Sequence, residues 1–376
     1  MTAAVSATPP NHTVHRRLLV EVGTGATSEA GLDAIVVPNG RAGHTLEHTW
    51  AVAREIGAPV LLLCSHDANA AQAVLAAKKA GARAFAIDAD QVPDDVLPRF
   101  ATTRLLRHHG LLGGANTSVK RNLGLLVAGL AGWQRVLFLD DDITLLRPAD
   151  LREAAGLLGR YAAVGLPNTG MPDNSVVCHA YRESGGPQDT FVGGGALVVG
   201  HHCFDSFFPD VYNEDWFFLL DDTGLRPTAL TGSAYQAVYN PYDLVRAESE
   251  ELGDTLAEGV YFLLGQGLRP ADATETYWQM FLESRRAFIR TALRQVRAAV
   301  GLDPGKRGAM IEALRCALRR NEERLTPELC AAFVRAWHED RATWGAHLAN
   351  LHERHEGGGV EGAFGTLGIA ELVLRS

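Results

Sequence analysis

The chain has 376 residues, 47% of them apolar, enough to bury the core of one large α/β domain with an appendage, or of two domains. Its net charge of −9 offers no general attraction to nucleic acid or to acidic membrane surfaces. Five scattered cysteines, Cys64, Cys178, Cys203, Cys316 and Cys330, contain no Cys-x-x-Cys pair; they argue against a disulfide frame or a zinc site and for a reducing, cytoplasmic setting.

Residues 1–17 are rich in Ala, Thr and Pro and lack the apolar centre of a signal peptide, so 1–30 is expected to be a disordered or irregular tail. No run approaches the ~18 apolar residues of a membrane span. Residues 34–40 read as a strand ending in a turn, 45–56 as a helix, and 60–64 as a buried strand followed by Ser65-His66-Asp67. A helix over 70–80 closes on Gly81, and 84–88 is a third strand. This alternation predicts right-handed βαβ units: a Rossmann-like α/β class, a mostly parallel sheet with helices on both faces. No Gly-x-Gly-x-x-Gly follows the first strand, so a dinucleotide fold has no fingerprint here.

A helix over 118–130 leads into the apolar run Val136-Leu137-Phe138-Leu139, which suits a buried parallel strand. Lys120 and Arg121 lie near that helix's N-terminus, where backbone N–H groups already favour anions; they are either solvated cations or phosphate contacts. The apolar run passes directly into Asp140, Asp141 and Asp142. Ligands of open α/β sheets bind beyond the carboxyl ends of the strands. An Asp-x-Asp pair at that place offers carboxylate oxygens to a hard cation, Mn²⁺ or Mg²⁺, which completes its shell with phosphate oxygens and water. The competing reading is an Asp-rich turn capping the next helix.

Beyond the carboxylates, 148–160 reads as a helix, 162–166 as a strand, and 170–188 as a polar, Gly/Pro-rich mobile loop over the site. Gly193-Gly194-Gly195 before an apolar strand allows either close backbone approach to a ligand or a bulge. Glu214 and Asp215 precede an apolar helix, where carboxylates also serve simply as N-terminal charges. Residues 240–264, with Glu250, Glu251, Asp254 and Glu258, match no motif with an assignable mechanism. Three helices are expected over 275–300, 306–324 and 327–352, the last with Thr326 as N-cap and Pro327 at its first position. The first two are Arg-rich, which makes either a solvated face or a surface for an acidic partner.

In this order the parts between residues 34 and 220 resemble the GT-A glycosyltransferases, especially the family-2-like group. Pro38-Asn39 resembles their opening strand and turn. Lys120-Arg121-Asn122 before a helix and strand, and the run ending in Asp140-Asp141-Asp142, resemble their Arg-Asn, helix, strand, Asp-x-Asp passage. Gly193-Gly194-Gly195 resembles the small-residue segment facing donor and acceptor. Asn213-Glu214-Asp215-Trp216 resembles the Glu-Asp motif whose Asp is the base of inverting members.

The resemblance implies a GT-A-like catalytic domain over 31–270, a C-terminal helical appendage over 271–356 and a tail over 357–376. It implies a nucleotide-sugar-dependent hexosyltransferase that uses a UDP- or GDP-sugar, a small-molecule or glycan acceptor, and Mn²⁺ or Mg²⁺ on Asp140 and Asp142. The donor-binding positions would be Pro38, Asn39, Asp67, Lys120, Arg121, Asn122, Asp140, Asp141, Gly194 and Gly195. Asp215 would be the base of an inverting transfer, with Glu214 orienting the acceptor. Asp67 is the one carboxylate of Ser65-His66-Asp67 available to the nucleotide base. No His lies between His202 and His338, so a third protein metal ligand has no His candidate there. Two other readings stay open. One is a sugar-phosphate nucleotidyltransferase, with Asn39-Gly40-Arg41-Ala42-Gly43 as its basic loop. The other is a non-catalytic GT-A-like scaffold binding a partner through its Arg-rich helices. Neither a nucleic-acid partner nor a transmembrane segment is expected, and a homo-oligomer is allowed.

Overall fold

A computed structural model describes residues 15–25, 28–42, 46–113, 116–172, 175–188 and 190–376. In chain order the elements are β1 (Val20–Glu21), β2 (Ala34–Asn39), α1 (Glu47–Ile56), β3 (Val60–Cys64), α2 (Ala70–Ala80), β4 (Ala84–Asp88), α3 (Ala101–His108), α4 (Thr117–Leu130), β5 (Arg135–Leu139), β6 (Ile143–Thr144), α5 (Ala149–Leu157) and β7 (Ala163–Gly165). There follow α6 (Val176–Glu183), β8 (Ala196–Gly200), α7 (Glu214–Phe218), β9 (Thr228–Leu230), β10 (Tyr235–Gln236), α8 (Leu244–Gly265), α9 (Glu275–Ala298), α10 (Pro304–Arg324), α11 (Pro327–Arg354), α12 (Gly359–Thr366) and β11 (Leu374–Arg375).

The nine-stranded sheet runs β1-β9-β7-β8-β5-β2-β3-β4-β11, and β6 and β10 form a separate pair. Strand β2 pairs in parallel with β3 and β5, and β3 with β4, whereas β8 lies antiparallel between β5 and β7. The class is therefore the expected mostly parallel α/β sheet. The period-two alternation of a strand sorts its side chains between two cores. Val36, Leu61 and Phe138 face α4 and the C-terminal helices; Ile35, Leu62 and Leu137 face α1, α2 and α5 through Trp50, Ala73 and Leu151.

The expected C-terminal helices form, adjoining the sheet rather than extending it. Trp278, Trp337 and Trp344 share one apolar cluster with Val36 and Phe138. Helix α8, within residues 31–270, belongs to the same cluster through Leu252, Leu256 and Val260. Residues 357–376, expected as a tail, supply α12 and then β11, which pairs antiparallel with β4 at the sheet edge. Buried Ala363, Phe364, Ile369 and Val373 tie this segment down. Part of the N-terminal stretch also differs from the expectation: β1 pairs with β9, and His15 is buried against Glu258. Residues 1–14 lie outside the described residues.

The loop expected over 170–188 contains α6, capped by Ser175, whose Oγ accepts from Cys178 N. Val176, Val177 and Ala180 anchor α6 in a third apolar cluster with Phe288 and Ile289 of α9 and Met310 and Leu314 of α10. The arginines expected on a solvated face divide. Arg285 is fully buried, and Arg286 bonds the Asn321 side chain and the Leu325 carbonyl, while Arg290 pairs with Glu322 at the surface. No helix among the described residues is long and apolar enough to cross a membrane.

Candidate functional site

Parallel β2 and β5 end at the same edge of the sheet, so the turn after Asn39 faces the three carboxylates after Leu139. Asp141 turns inward. It accepts from Gly40 N at 2.9 Å and Arg41 N at 3.1 Å and pairs with the Arg41 guanidinium. Its carboxylate thus holds the loop after β2. Asp140 N donates to Gly195 O at 2.9 Å, joining the carboxylates to the three-glycine segment. The Asp142 carboxylate accepts from Arg41 at 3.2 Å. Burial pushes the Asp142 carboxyl up to about 6, and neighbouring Asp140 adds to the shift while Arg41 opposes it.

Because α4 starts at Thr117, Lys120 lies at the end of its first turn, with Arg121 and Asn122 beyond it. Successive helical side chains point in different directions, and these three diverge. Lys120 Nζ donates to Asn39 O at 3.3 Å and to Ser65 Oγ at 3.0 Å; burial lowers its pKa, against the pull of Asp141 and Asp140. Arg121 donates to both Asp140 oxygens, at 2.8 and 3.1 Å, and to Glu214 Oε1 at 2.8 Å. Burial opposes the Arg121 charge, but Asp140, Glu214 and Asp215 outweigh it and raise its pKa. The guanidinium also lies 5.5 Å from the centre of the Phe208 ring. A Cβ on Gly194 would come within 2.4 Å of Arg121 Nη1, so glycine is what lets the guanidinium lie there. Asn122 exchanges hydrogen bonds of 2.8 Å with the backbone N–H and carbonyl of Phe208. Asn122 is buried, its side chain tied to the Phe208 backbone. Lys120 and Arg121, expected either as solvated cations or as phosphate contacts, are buried and bond protein groups.

Asn213 adopts a left-handed backbone, φ 62°, and turns the chain into α7. Glu214 reaches Arg121, and Asp215 is buried close enough to act on the charge of Arg121. Asn39 is buried beside Cys64 and accepts from Arg41 N at 3.3 Å. Pro38 is buried within β2 opposite Leu63, and Asp67 is exposed on the neighbouring loop after β3. The structure therefore gathers Asn39, Lys120, Arg121, Asp140, Asp141, Asp142, Gly194, Gly195, Glu214 and Asp215 around one sheet edge. Pro38 and Asn122 serve the core. Sequence reasoning assigned Arg41 only to the nucleotidyltransferase loop and missed Ser65. The available signal was a cation two positions after the strand that abuts three carboxylates. Gly43 lies outside the described residues.

Among the described residues, no group of three or more His, Cys, Asp or Glu side chains is arranged to hold a metal ion. Asp140 and Asp142 are two hard oxygen donors at the carboxyl end of β5. That donor set fits Mn²⁺ or Mg²⁺ sharing its shell with phosphate and water.

No protein-family model and no curated protein matches the chain. Among solved structures, the chain is similar to the mannosyltransferase PcManGT from Pyrobaculum calidifontis in complex with GDP-Man and Mn²⁺. The identity is 14%, the TM-score 0.44, and the match covers 92% of this chain and 94% of that chain.

Proposed function

We propose that the chain is a metal-dependent glycosyltransferase moving a hexosyl group from a UDP- or GDP-sugar to a hydroxyl of a small-molecule or glycan acceptor, with inversion. The observation that carries this reading is the placement of Asp140 and Asp142 at the carboxyl end of β5, next to the Arg121–Glu214 pair and Asp215. A doubly wound sheet presents its ligand site at that edge.

In this reading the acceptor oxygen attacks the anomeric carbon. The bond from that carbon to the diphosphate oxygen breaks, and its electron pair leaves with the diphosphate. Asp215 takes the acceptor proton on a carboxylate oxygen, from the face opposite the leaving group. Glu214 orients the acceptor while its other task, the ion pair with Arg121, keeps that guanidinium aligned on Asp140. Asp142 and Asp140 would hold Mn²⁺ or Mg²⁺, which when bound neutralises charge on the leaving diphosphate. Lys120 fixes the end of β2 and Asp141 the loop after it, so the donor side is organised before any ligand arrives.

A thermal-shift panel of UDP-, GDP- and dTDP-sugars with and without Mn²⁺ tests the reading. A Mn²⁺-dependent rise in melting temperature with one nucleotide class is expected. No shift with any donor, together with diphosphate release from a nucleoside triphosphate and a sugar phosphate, would favour nucleotidyl transfer instead.

A further inference from the structure

Residues 240–264, the passage for which the sequence suggested no mechanism, form most of α8, and α8 grips the segment that carries Glu214 and Asp215. We propose that Arg285, Glu251 and Asp254 form a buried positioning centre that sets this segment against Arg121 and Asp140. The inference rests on the glycosyltransferase reading for its effect on turnover, and on geometry alone for its effect on structure.

The contacts run in one unbroken series. Arg285, on α9, donates to both Glu251 oxygens at 3.1 and 2.9 Å and to Asp254 Oδ2 at 2.5 Å, with its side chain wholly buried. Asn321 of α10 donates to Glu251 Oε1 at 2.8 Å, so three helices meet on one carboxylate. The second Asp254 oxygen, Oδ1, accepts from Asn213 Nδ2 at 3.3 Å. Asn213 holds the left-handed turn immediately before Glu214, and Glu214 pairs with Arg121, which pairs with Asp140. Two further contacts keep α8 on this segment. A Cβ on Gly253 would lie 2.1 Å from Tyr212 O, so glycine is required for the approach, and the Tyr261 hydroxyl donates to Trp216 O at 2.9 Å. Asp215 is thus bracketed by α8 contacts at Asn213 and Trp216.

Stability alone does not call for charge here. Well-packed apolar side chains often join buried helices at least as stably as an ion cluster does, whereas ionic groups are directional and fix a register. The consequence of that directionality falls on the two carboxylates assigned to orient the acceptor and take its proton.

The test uses the full chain and the hydrogen bond between Asn213 and Asp254. Asp254→Asn weakens the link to Arg285 and disturbs the bond to Asn213. Asn213→Asp combined with Asp254→Asn rebuilds that bond with donor and acceptor exchanged. Amide exchange over 212–218 is expected to rise in Asp254→Asn and to return toward wild type in the double variant. Donor turnover should follow, with kcat down about 10- to 100-fold, the scale of a small misplacement of reacting groups. The KM for the donor and the Mn²⁺-dependent affinity for the nucleoside diphosphate should stay at the wild-type values. Should Asp254→Asn fail to fold, Asn213→Gly keeps the left-handed backbone, leaves Arg285 paired, and makes the same prediction. Unchanged exchange over 212–218, or a general loss of protection across α8–α10 without rescue in the double variant, would overturn the proposal. A wild-type protein that binds no nucleoside diphosphate and turns over no donor would overturn the functional reading; the exchange pattern and its rescue would still decide the positioning claim.

Discussion

Arg121 lies between Asp140 and Glu214 with its guanidinium buried, and its planar fork serves both carboxylates at once. It connects the end of β5 to the start of α7, which places Asp215 within electrostatic reach of the same centre. Asp215 is the residue at which chemistry and architecture separate. A general base acts on the acceptor proton in the transition state, so Asp215→Asn is expected to lower kcat by ~10²–10⁴-fold. Donor affinity should stay near wild type, because Asp215 is not assigned to the metal. If Asp215 were only a helix-start charge, worth about 0.3–1 kcal/mol, the same variant would melt slightly lower and turn over normally. Steady-state rate and melting temperature measured on one preparation distinguish the two. At this scale the end of β5 at Asp140, Asp141 and Asp142 was legible, since an apolar run passing into carboxylates marks where a buried strand stops. The roles of Lys120, Arg121 and Asn122 were not. They depend on helical phase, which sends one to Asn39, one to Asp140 and Glu214, and one to the Phe208 backbone.

Helix α6 shows what local composition hides. Its flanks are rich in Gly and Pro and suggested a loop, yet Val176, Val177 and Ala180 share an apolar cluster with residues of α8, α9 and α10, more than 100 positions away for Ile289 and Met310. Within it His179 is buried, and its Nε2 lies 2.9 Å from the Tyr239 hydroxyl. Burial, then the charges of Arg246 and Arg182, depress its pKa from 6.5 to about 3. The unfolded chain therefore takes up a proton as pH falls below 6.5, and the folded chain does not until about 3. Folded stability contributed at this position is full above that window and is lost as pH falls through it. Replacing His179 with Gln should flatten the decline in melting temperature between these pH values. An unchanged pH profile in His179→Gln would show that other groups set the acid limit. The three C-terminal helices were legible from long apolar periodicity and from Thr326-Pro327. Their docking was not, because an apolar helical face looks the same whether it meets another helix or a sheet.

At the scale of the whole molecule, the helical region and the sheet are one packed body. Trp278, Trp337 and Trp344 belong to the same apolar cluster as Val36 and Phe138, and β11 pairs with β4 at the sheet edge. The βαβ order of the first half was readable because each strand and each covering helix is local in sequence. The returns of β1 to β9 and β11 to β4 join segments far apart in sequence, and two-residue strands carry almost no periodicity. This architecture brings Asn39, Arg121, Asp140, Asp142, Glu214 and Asp215 to one edge, and the functional reading depends on what that edge binds. The most direct test is calorimetric titration of GDP and UDP, with and without Mn²⁺, into the wild-type chain and into Asp142→Asn. A neutral amide is a poor ligand for a hard cation. The account predicts Mn²⁺-dependent binding of one nucleoside diphosphate by the wild type and loss of most of that affinity in a still-folded Asp142→Asn. Equal Mn²⁺-dependent binding by the two proteins, or none by the wild type, would contradict it.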